Sequence, residues 1–469
     1  MADVDLSSVT QVRERLRGGD LTSVELTESL LRRIEETEPL VHAYAHVCAE
    51  SAMQAALEAD ERRAAGEDLP LLGIPLAVKD NIETVDAPTE VGSRVMRGHW
   101  ALRDATVVER LRAAGAVILG KAVTHEFAYG LNTPPTRNPW DLDRFPGASS
   151  AGPAVAVAVG SALGALGTDT AGSVRTPAAV NGIVGFKPTY GRVSRAGVFP
   201  ASPSLDHVGV LARTVEDCAL LLQAICGPDP RDPSTLPAAA GGPDPAGDMT
   251  MDLRGVRLGV ERSYFFDYPE VQDGVRDAVE RSLEVLVSLG AEVVDVSIPE
   301  LVFASAAGSI INLVDNSAWH QRLLHTHYCD YDPDTRRMLS LGALIPGAAY
   351  VNAQKARRVI VDAFRRTYRD HNLTALVGPT IPTVAHVLTD PPLSPTPRLS
   401  PLVHHNYPGN LAGLPALSVP CGFWDDLPVG LHVMGPPLGE ESVLRVGLAY
   451  QRATSWSACS PPLNLGEVS

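Results

Sequence analysis

The feature that most constrains the fold is an alternation of short apolar runs with amphipathic stretches in the first half of the chain. Apolar runs at residues 71–78, 116–119 and 183–186 have the length of buried strands. The stretches at 106–114 and 214–225 have the apolar spacing of helices. This alternation predicts a mostly parallel sheet covered by helices.

The rest of the chain extends this pattern and indicates the domain organisation. Near the N-terminus, Thr22 and Glu25 have the spacing of a capping box at a helix start. We predict one large α/β domain with a central mixed, mostly parallel β-sheet flanked by helices and an N-terminal helical segment. We divide the domain (1–469) into an N-terminal helical part (1–65), a core (71–226), a loop or hinge (227–253) and the remainder (254–469). The loop or hinge is rich in Pro, Gly and Ala. A second Pro-rich stretch, 379–401, is predicted to be a long loop within the remainder.

Composition speaks against several classes of function. The net charge of −16 argues against a nucleic-acid-binding surface, which needs clustered Lys and Arg. The most apolar stretch, residues 153–166, is shorter than the roughly 20 residues of a membrane helix, and the N-terminus lacks an apolar signal-peptide core. The cysteines are scattered without C-x-x-C spacing. We therefore expect a cytoplasmic protein with no nucleic-acid partner, no membrane contact, no metal and no bound cofactor.

Residues 146–193 contain two turns that could support catalysis. These turns of small residues, 147–152 and 167–173, flank an apolar Ala/Val-rich helix. Small residues let a backbone approach a ligand closely and direct successive N–H groups at one point, which is the geometry that holds a developing oxyanion. Ordinary Gly/Ser loops around a buried helix are the alternative, and composition alone favours them.

A lysine at the end of an apolar strand is the second indication of catalysis. Lys79 follows the apolar run at 72–78, and a lysine removed from water has a lowered pKa and can act as a general base. A neutral amine could then deprotonate a serine. The alternative is a lysine that extends its amine to the surface. No G-x-S-x-G, H-E-x-x-H or G-x-x-x-x-G-K-[ST] motif in the sequence competes with this interpretation.

Together these segments resemble the amidase signature family along most of the chain. The resemblance rests on GIPLAVKDN around Lys79, GASSAG around Ser149 and GTDTAGSVRTPAA around Ser173. The two serines stand 24 positions apart. The likeness continues through NGIVGFKPTYGRVSRAGV, the step Ser204-Leu205-Asp206, GPT at 378–380 and NLAGLPALSVPCGF near the C-terminus. Because order and spacing both agree, the resemblance is highly specific.

The resemblance implies a serine amidase with a catalytic triad of Lys79, Ser149 and Ser173. Ser173 would attack the amide carbonyl, and Ser149, on a cis peptide bond, would relay the proton to a neutral Lys79. An acyl-enzyme would form on Ser173 and later be released to water or another acceptor. The resemblance further assigns the oxyanion hole to Thr170, Ala171, Gly172 and Ser173, and supporting roles to Ser150, Asp169 and Arg175.

The turn around Ser149 departs from the family pattern. Ala148, Ala151 and Pro153 replace the Gly, Gly and Ser that the family usually has. Each added methyl restricts φ, so the turn is expected to avoid positive φ at these sites. Pro153 is expected to fit the first turn of the following helix, where no N–H bond is lost. With all three triad residues intact, we interpret these changes as tuning.

The resemblance implies hydrolysis of the carbon–nitrogen bond of a small linear carboxamide. The expected partner is therefore a small-molecule amide substrate, and a homodimer is left open. The main alternative is the glutaminase subunit of a tRNA-dependent amidotransferase. Residues 304–331 lack the Tyr-Asp-Gly-Val-Arg-Tyr-Gly-like run of such subunits, and residues 400–409 lack the acid that reads the glutamine ammonium. Arg357 matches a basic position found there, which is weakly specific.

Two further alternatives use the same fold. An acyl-transferring or ring-closing biosynthetic enzyme could use the same acyl-enzyme, if its pocket excluded water and admitted an amine. A non-catalytic binding protein is disfavoured by the intact Lys79, Ser149 and Ser173. The sequence therefore favours an amide hydrolase.

Overall fold

One mixed β-sheet runs through the part of the chain that the structure, a computed structural model, describes: residues 8–130, 134–237, 251–388 and 401–463. The strands within these residues are β1 (Tyr44–Val47), β2 (Pro75–Lys79), β3 (Val117–Ala122), β4 (Gly164–Asp169), β5 (Val184–Lys187), β6 (His207–Ala212), β7 (Arg257–Glu261), β8 (Glu292–Val296), β9 (Ala375–Pro379), β10 (Ala416–Trp424) and β11 (Leu427–Met434). They form one 11-stranded sheet in the order β1-β3-β2-β4-β6-β5-β10-β11-β9-β7-β8.

Helices cover the sheet. Those in the described residues are α1 (Val9–Gly18), α2 (Ser23–Val41), α3 (Ala49–Ala64), α4 (Thr106–Ala113), α5 (Ala151–Ala158), α6 (Arg175–Asn181), α7 (Val215–Ile225), α8 (Arg262–Phe265), α9 (Asp273–Ser288), α10 (Ala304–His327), α11 (Pro333–Ala343), α12 (Gly347–Asp370), α13 (Pro401–His404), α14 (Tyr407–Ala412) and α15 (Glu440–Ala453). Short 3-10 turns lie at Arg94–Met96, Glu126–Ala128, Pro299–Phe303 and Trp456–Ala458. The prediction of one large α/β domain with a mixed sheet flanked by helices is confirmed.

The strand directions correct one part of that prediction, since the sheet is not mostly parallel. The parallel pairs lie in two groups, β3-β2-β4 and β9-β7-β8, while the centre of the sheet is antiparallel. One cause is the β10–β11 hairpin, whose turn residues Asp425 and Asp426 both have positive φ (52° and 58°). Two left-handed turn residues match the twist of a tight hairpin, so no helical crossover is needed between these strands.

The capping box predicted at Thr22 and Glu25 begins α2. The backbone of Gly19 is left-handed (φ 76°) and caps α1, and Thr22 and Glu25 form a reciprocal capping box at the start of α2. Glu25 N donates to Thr22 Oγ1 over 3.1 Å, and Thr22 N donates to Glu25 Oε2 over 2.9 Å. The apolar stripe of α2 is buried at Leu26 and Ile34. This buried stripe packs the helical part against α3 and the sheet.

The division of the chain into parts stays a prediction. Within the proposed loop or hinge, 227–253, residues 238–250 lie outside the described residues. In the predicted loop at 379–401, residues 389–400 also lie outside them. Strands from both sides of residues 227–253 share the sheet, because β5 pairs with β10.

Helices α11 and α12 both pack against α10 beside the sheet. A second apolar cluster joins α10 and α11 to the loop after β2 and to the turn after β3, through Val91, Phe127, Tyr331 and Leu339. Within the described residues, the segment Pro299–His327 has the length and apolar composition of a membrane-crossing helix, and 44% of its most apolar window is buried inside the fold. Core helices share this composition, so the segment is weak evidence for a membrane.

Candidate active site

Two tight turns meet at the ends of β2 and β4, and the first of them carries Ser149. Gly147 has a φ of 90°, and a Cβ there would lie 2.3 Å from Pro177 Cα, so only glycine fits. The peptide bond between Ala148 and Ser149 is cis, as the family resemblance implies. The carbonyl of Ser149 accepts hydrogen bonds from His125 N (3.3 Å) and Thr124 Oγ1 (3.3 Å).

The family departures in this turn are accommodated as expected. Neither Ala148 nor Ala151 has a positive φ, and Gly147 is the one residue of this turn that does. Pro153 lies in the first turn of α5, where its missing N–H removes no helical hydrogen bond. All eight residues of α5 are buried, which fixes the turn from one side.

Lys79 ends β2 and is fully buried. Its Nζ donates to Ser149 Oγ and to Thr168 Oγ1, each over 2.8 Å. Burial lowers the pKa of Lys79 to about 7, although the negative charges of Asp169 and Asp206 act in the opposite direction. Near neutral pH a large share of this lysine is therefore a neutral amine that can accept a proton.

The second turn follows Asp169 at the end of β4 and carries Ser173. Gly172 has a φ of 110°, and a Cβ there would lie 2.7 Å from Asn406 Cγ, so the position requires glycine. Asp169 Oδ1 accepts from Gly172 N (2.9 Å) and its Oδ2 from Val174 N (3.2 Å). The two turns are joined because Ser150 N donates to Ser173 O over 3.2 Å.

Backbone N–H groups of the second turn could hold an oxyanion. Within the described residues, the amides of Thr170, Ala171 and Ser173 have no hydrogen-bond partner. The Gly172 amide differs, because it donates to Asp169, and this contact weakens its sequence-based assignment to the oxyanion hole. The structure therefore offers three free amides rather than four.

Ser173 is partly exposed, unlike the buried Ser149 and Ser150. Within the described residues its hydroxyl has no hydrogen-bond partner, so the contact with Ser149 that the resemblance implies is not made in this structure. The lysine–serine half of the predicted triad is assembled, and Ser173 lies in the adjoining turn. The catalytic roles of all three residues stay a prediction.

The supporting residues form a buried polar network behind the second turn. Arg175 donates to Asp169 twice, from Nε to Oδ2 over 3.0 Å and from Nη2 to Oδ1 over 2.9 Å, and both side chains are inaccessible to water. Burial alone would raise the pKa of Asp169, but the charge and hydrogen bonds of Arg175 hold it well below its usual range. Ser150 Oγ donates to Thr168 O over 3.2 Å, which ties the first turn to β4.

Replacing Arg175 by methionine is expected to lower the free energy of unfolding by about 3–5 kcal/mol, because it leaves the Asp169 carboxylate buried without its counter-ion. Urea denaturation followed by circular dichroism measures the change. The matched control is Arg254→Ala, since Arg254 pairs with Asp252 on the surface and its side chain is 84% exposed. That pair is expected to contribute little to stability, because solvent screens the two charges. Equal losses in the two variants would contradict this role of Arg175.

The structure brings into the site four residues for which the sequence motifs predict no role. Thr168 Oγ1 accepts hydrogen bonds from Lys79 Nζ (2.8 Å) and from Asn81 Nδ2 (3.1 Å). Asn410 donates to Asp169 Oδ1 (2.9 Å), and Asp206 accepts from Thr170 Oγ1 (2.6 Å). A signal was present, because each of the four residues stands inside one of the segments on which the family resemblance rests.

A cavity of about 270 Å³ adjoins the site on the side of Thr168 and Thr170. Its lining includes the buried polar residues Asn81, Thr168, Thr170, Asp206 and His207, together with Arg195, Phe199, Asp232 and Trp319. Among the described residues, no group of three or more His, Cys, Asp or Glu side chains could hold a metal ion.

Fold and site together define an α/β enzyme built on a buried lysine and two serine-bearing turns. A family model described as Amidase matches residues 25–444, so the chain belongs to the amidase signature family. The A subunit of glutamyl-tRNA(Gln) amidotransferase from Roseiflexus castenholzii (strain DSM 13941 / HLO8), a curated protein, is 43% identical over 97% of this chain and 97% of its own length.

Solved structures of two kinds of amidase share the fold. Native peptide amidase from Stenotrophomonas maltophilia is 32% identical, with a TM-score of 0.83, and the match covers 97% of this chain and 98% of that one. The A subunit of the Thermotoga maritima glutamyl-tRNA(Gln) amidotransferase is 33% identical, with a TM-score of 0.78, and the match covers 95% and 94%. Cleavage or transfer of an amide group is thus the activity of the class.

These relatives contradict the sequence-based expectation about partners. That expectation was a small-molecule amide substrate and no nucleic acid, whereas curated relatives along the whole chain are named as part of an amidotransferase for a tRNA. The expectation was wrong because a net charge is a sum over the whole chain. A total of −16 does not describe the charge of any one face of the surface.

Proposed function

We propose that this chain is the amide-cleaving subunit of a tRNA-dependent amidotransferase, releasing ammonia from a primary carboxamide through an acyl-enzyme on Ser173. The observation that carries the chemistry is the 2.8 Å hydrogen bond from the buried Lys79 Nζ to Ser149 Oγ, beside the turn of Ser173. The amidotransferase assignment is supported by the names of curated relatives that match at 43% identity along nearly the whole chain.

The acylation step needs a base, a relay and an oxyanion site. Ser173 Oγ bonds to the carboxamide carbon while its proton moves to Ser149 Oγ, and the proton of Ser149 moves to the neutral Lys79 Nζ. The carbonyl oxygen becomes an oxyanion that accepts from the amides of Thr170, Ala171 and Ser173. When the C–N bond breaks, Ser149 gives its proton to the leaving nitrogen and takes one from Lys79, so ammonia leaves and a Ser173 ester remains.

Deacylation repeats the proton path in reverse order. Water bonds to the ester carbon and passes a proton through Ser149 to Lys79, and the proton then returns to Ser173 Oγ as the ester bond breaks. The carboxylic acid leaves and Lys79 is neutral again. The ammonia is the part of the carboxamide that an amidotransferase would pass to its acceptor.

A stand-alone amide hydrolase is the second candidate, and one observation favours it. Residues 402–409, within the described part of the chain, contain no carboxylate where amidotransferase subunits carry the acid for the glutamine ammonium. Arg357, which matches a basic position of those subunits, instead donates to the carbonyls of Leu411 (2.8 Å) and Ser204 (2.9 Å). These contacts leave this guanidinium less available for a substrate carboxylate.

Ammonia release from defined amides tests the proposal. The purified chain is incubated with L-glutamine, with a peptide C-terminal amide and with an aryl amide. Each assay is run alone and with the partner subunits of a relative's amidotransferase and glutamyl-tRNA(Gln). We expect glutamine to yield ammonia and glutamate, faster when partners and tRNA are present, and Ser173→Ala to yield none. Cleavage of the other amides with glutamine untouched would reject the amidotransferase in favour of the second candidate.

A further inference from the structure

A short loop at residues 199–206, just before β6, closes one side of the candidate site. Phe199 N donates to Asn81 O over 2.8 Å, which ties the loop to the segment after Lys79. On its outer side, Ser202 Oγ and Ser204 Oγ donate to Asp315 of α10, over 2.6 Å and 2.9 Å. The loop thus bridges the lysine segment and the helices beside the sheet.

Asp206 ends this loop, and its carboxylate contacts the second turn, which carries Ser173. The side chain is 7% exposed. Its Oδ1 accepts from Thr170 Oγ1 (2.6 Å) and Ser202 N (3.0 Å), and its Oδ2 accepts from Ala201 N (3.0 Å). Because Thr170 carries one of the three unpartnered amides, the hydrogen bond to its hydroxyl fixes the direction in which that amide points.

The same carboxylate acts on the proposed base. Asp206 and Asp169 are the two negative charges that raise the pKa of Lys79 against the effect of burial. Burial raises the pKa of Asp206 itself to about 6, so it is mostly ionised at pH 7 and above. The titratable and charged groups around it are Lys79 on β2, Asp169 at the end of β4, His207 on β6, Arg195 before the loop, and Arg231 and Asp232, which line the same cavity.

We propose that Asp206 is a positioning residue with two effects on the reaction. Its hydrogen bond to Thr170 holds the oxyanion amides in place, and its charge stabilises the ammonium that forms on Lys79 as Ser173 attacks. The inference rests on the proposed roles of Lys79 and Ser173. A neutral side chain at 206 would retain the shape of the site but lose the counter-charge.

The test measures the rate at which a fluorophosphonate labels Ser173. This assay needs no knowledge of the natural substrate. In this reaction Ser173 Oγ bonds to phosphorus, the P–F bond breaks and fluoride leaves, while the serine proton passes through Ser149 to Lys79. Intact mass gives the labelling rate from pH 5.5 to 9.5. In the unchanged protein the rate is expected to rise through about pH 7, since the neutral form of Lys79 is the reactive one.

Asp206→Asn is expected to lower the plateau rate at least tenfold and to move the midpoint to lower pH, because a charge that raises the pKa of Lys79 is gone. Asp206→Glu keeps the charge with altered geometry, so its plateau should fall while its midpoint stays. Thr170→Val removes only the hydrogen bond and should likewise lower the plateau without moving the midpoint. The matched control is Asp315→Asn. It weakens the contacts of Ser202 and Ser204 on the outer side of the same loop, and it should leave the midpoint unchanged.

The outcomes separate this inference from the proposed function. If the unchanged protein is not labelled at Ser173, the proposed nucleophile fails whatever the variants do. If it is labelled and the midpoint of Asp206→Asn is unchanged or moves upward, the counter-charge role is overturned. If Asp206→Asn does not fold by circular dichroism, Thr170→Val and Asp206→Glu decide: a normal plateau in both overturns the positioning role.

Discussion

Replacing Ser173 by alanine is expected to lower amide cleavage by about 10³- to 10⁶-fold and to abolish fluorophosphonate labelling, because it removes the oxygen that forms the ester. The fold should be unaffected. Ser173 is partly exposed and its hydroxyl has no partner within the described residues, so the free energy of unfolding should change by less than about 0.5 kcal/mol. Intact-mass analysis and urea denaturation measure the two effects on the same preparation.

The matched control is Ser288→Ala, which removes a hydroxyl that donates to Val285 O at the exposed end of α9. It should keep full activity and full labelling. An adduct that persists in Ser173→Ala would show that the nucleophile lies elsewhere. Activity lost in both variants would indicate loss of folded protein rather than loss of a nucleophile.

Replacing Lys79 by methionine is expected to have opposite effects on catalysis and on stability. Without a base the rate should fall by at least about 10³-fold. Stability should rise, because a pKa lowered from 10.5 to about 7 corresponds to a folding penalty on the order of 4 kcal/mol at or below pH 7. The lost hydrogen bonds to Ser149 and Thr168 offset part of this gain, so the net increase should be about 1–3 kcal/mol at pH 7.

The dependence of this gain on pH has a definite sign. Between about pH 7 and pH 10.5 the unfolded chain holds the Lys79 proton and the folded chain does not, so the stability of the unchanged protein rises with pH. The advantage of Lys79→Met should therefore be largest near pH 6.5 and small near pH 10. Urea denaturation at both pH values measures it. If Lys79→Met is less stable than the unchanged protein at pH 6.5, the burial of Lys79 does not carry this free-energy penalty.

Local patterns predicted the elements well where their signals lie close together in the chain. The apolar spacing at residues 214–225 corresponds to α7, and the run at 183–186 overlaps β5. The antiparallel centre of the sheet could not be predicted in this way, because strand direction depends on pairings such as β5 with β10, more than 200 residues apart. The hairpin turn at Asp425 and Asp426 gives a local signal that was overlooked.

The site was predictable in its positions and less so in its contacts. The sequence motifs identified the segments of Lys79, Ser149 and Ser173, and the structure brings those segments together. They could not reveal that the Gly172 amide is already bound to Asp169, since this depends on the orientation of one carboxylate. Nor could they assign a role to Asn410, whose contact with Asp169 spans 241 positions of the chain.

The complete burial of α5 has a consequence for how such an enzyme could diverge. None of the side chains of this helix reaches water, and the turn of Ser149 begins it, so most substitutions there would disturb the chemistry. Helices α11 and α12, by contrast, expose apolar side chains such as Leu341 and Val351. Selection for a new acyl group or a new protein neighbour could act on those helices while the reaction is inherited intact. A mutant library directed at α11 and α12 would accordingly retain more active members than one of equal size directed at α5.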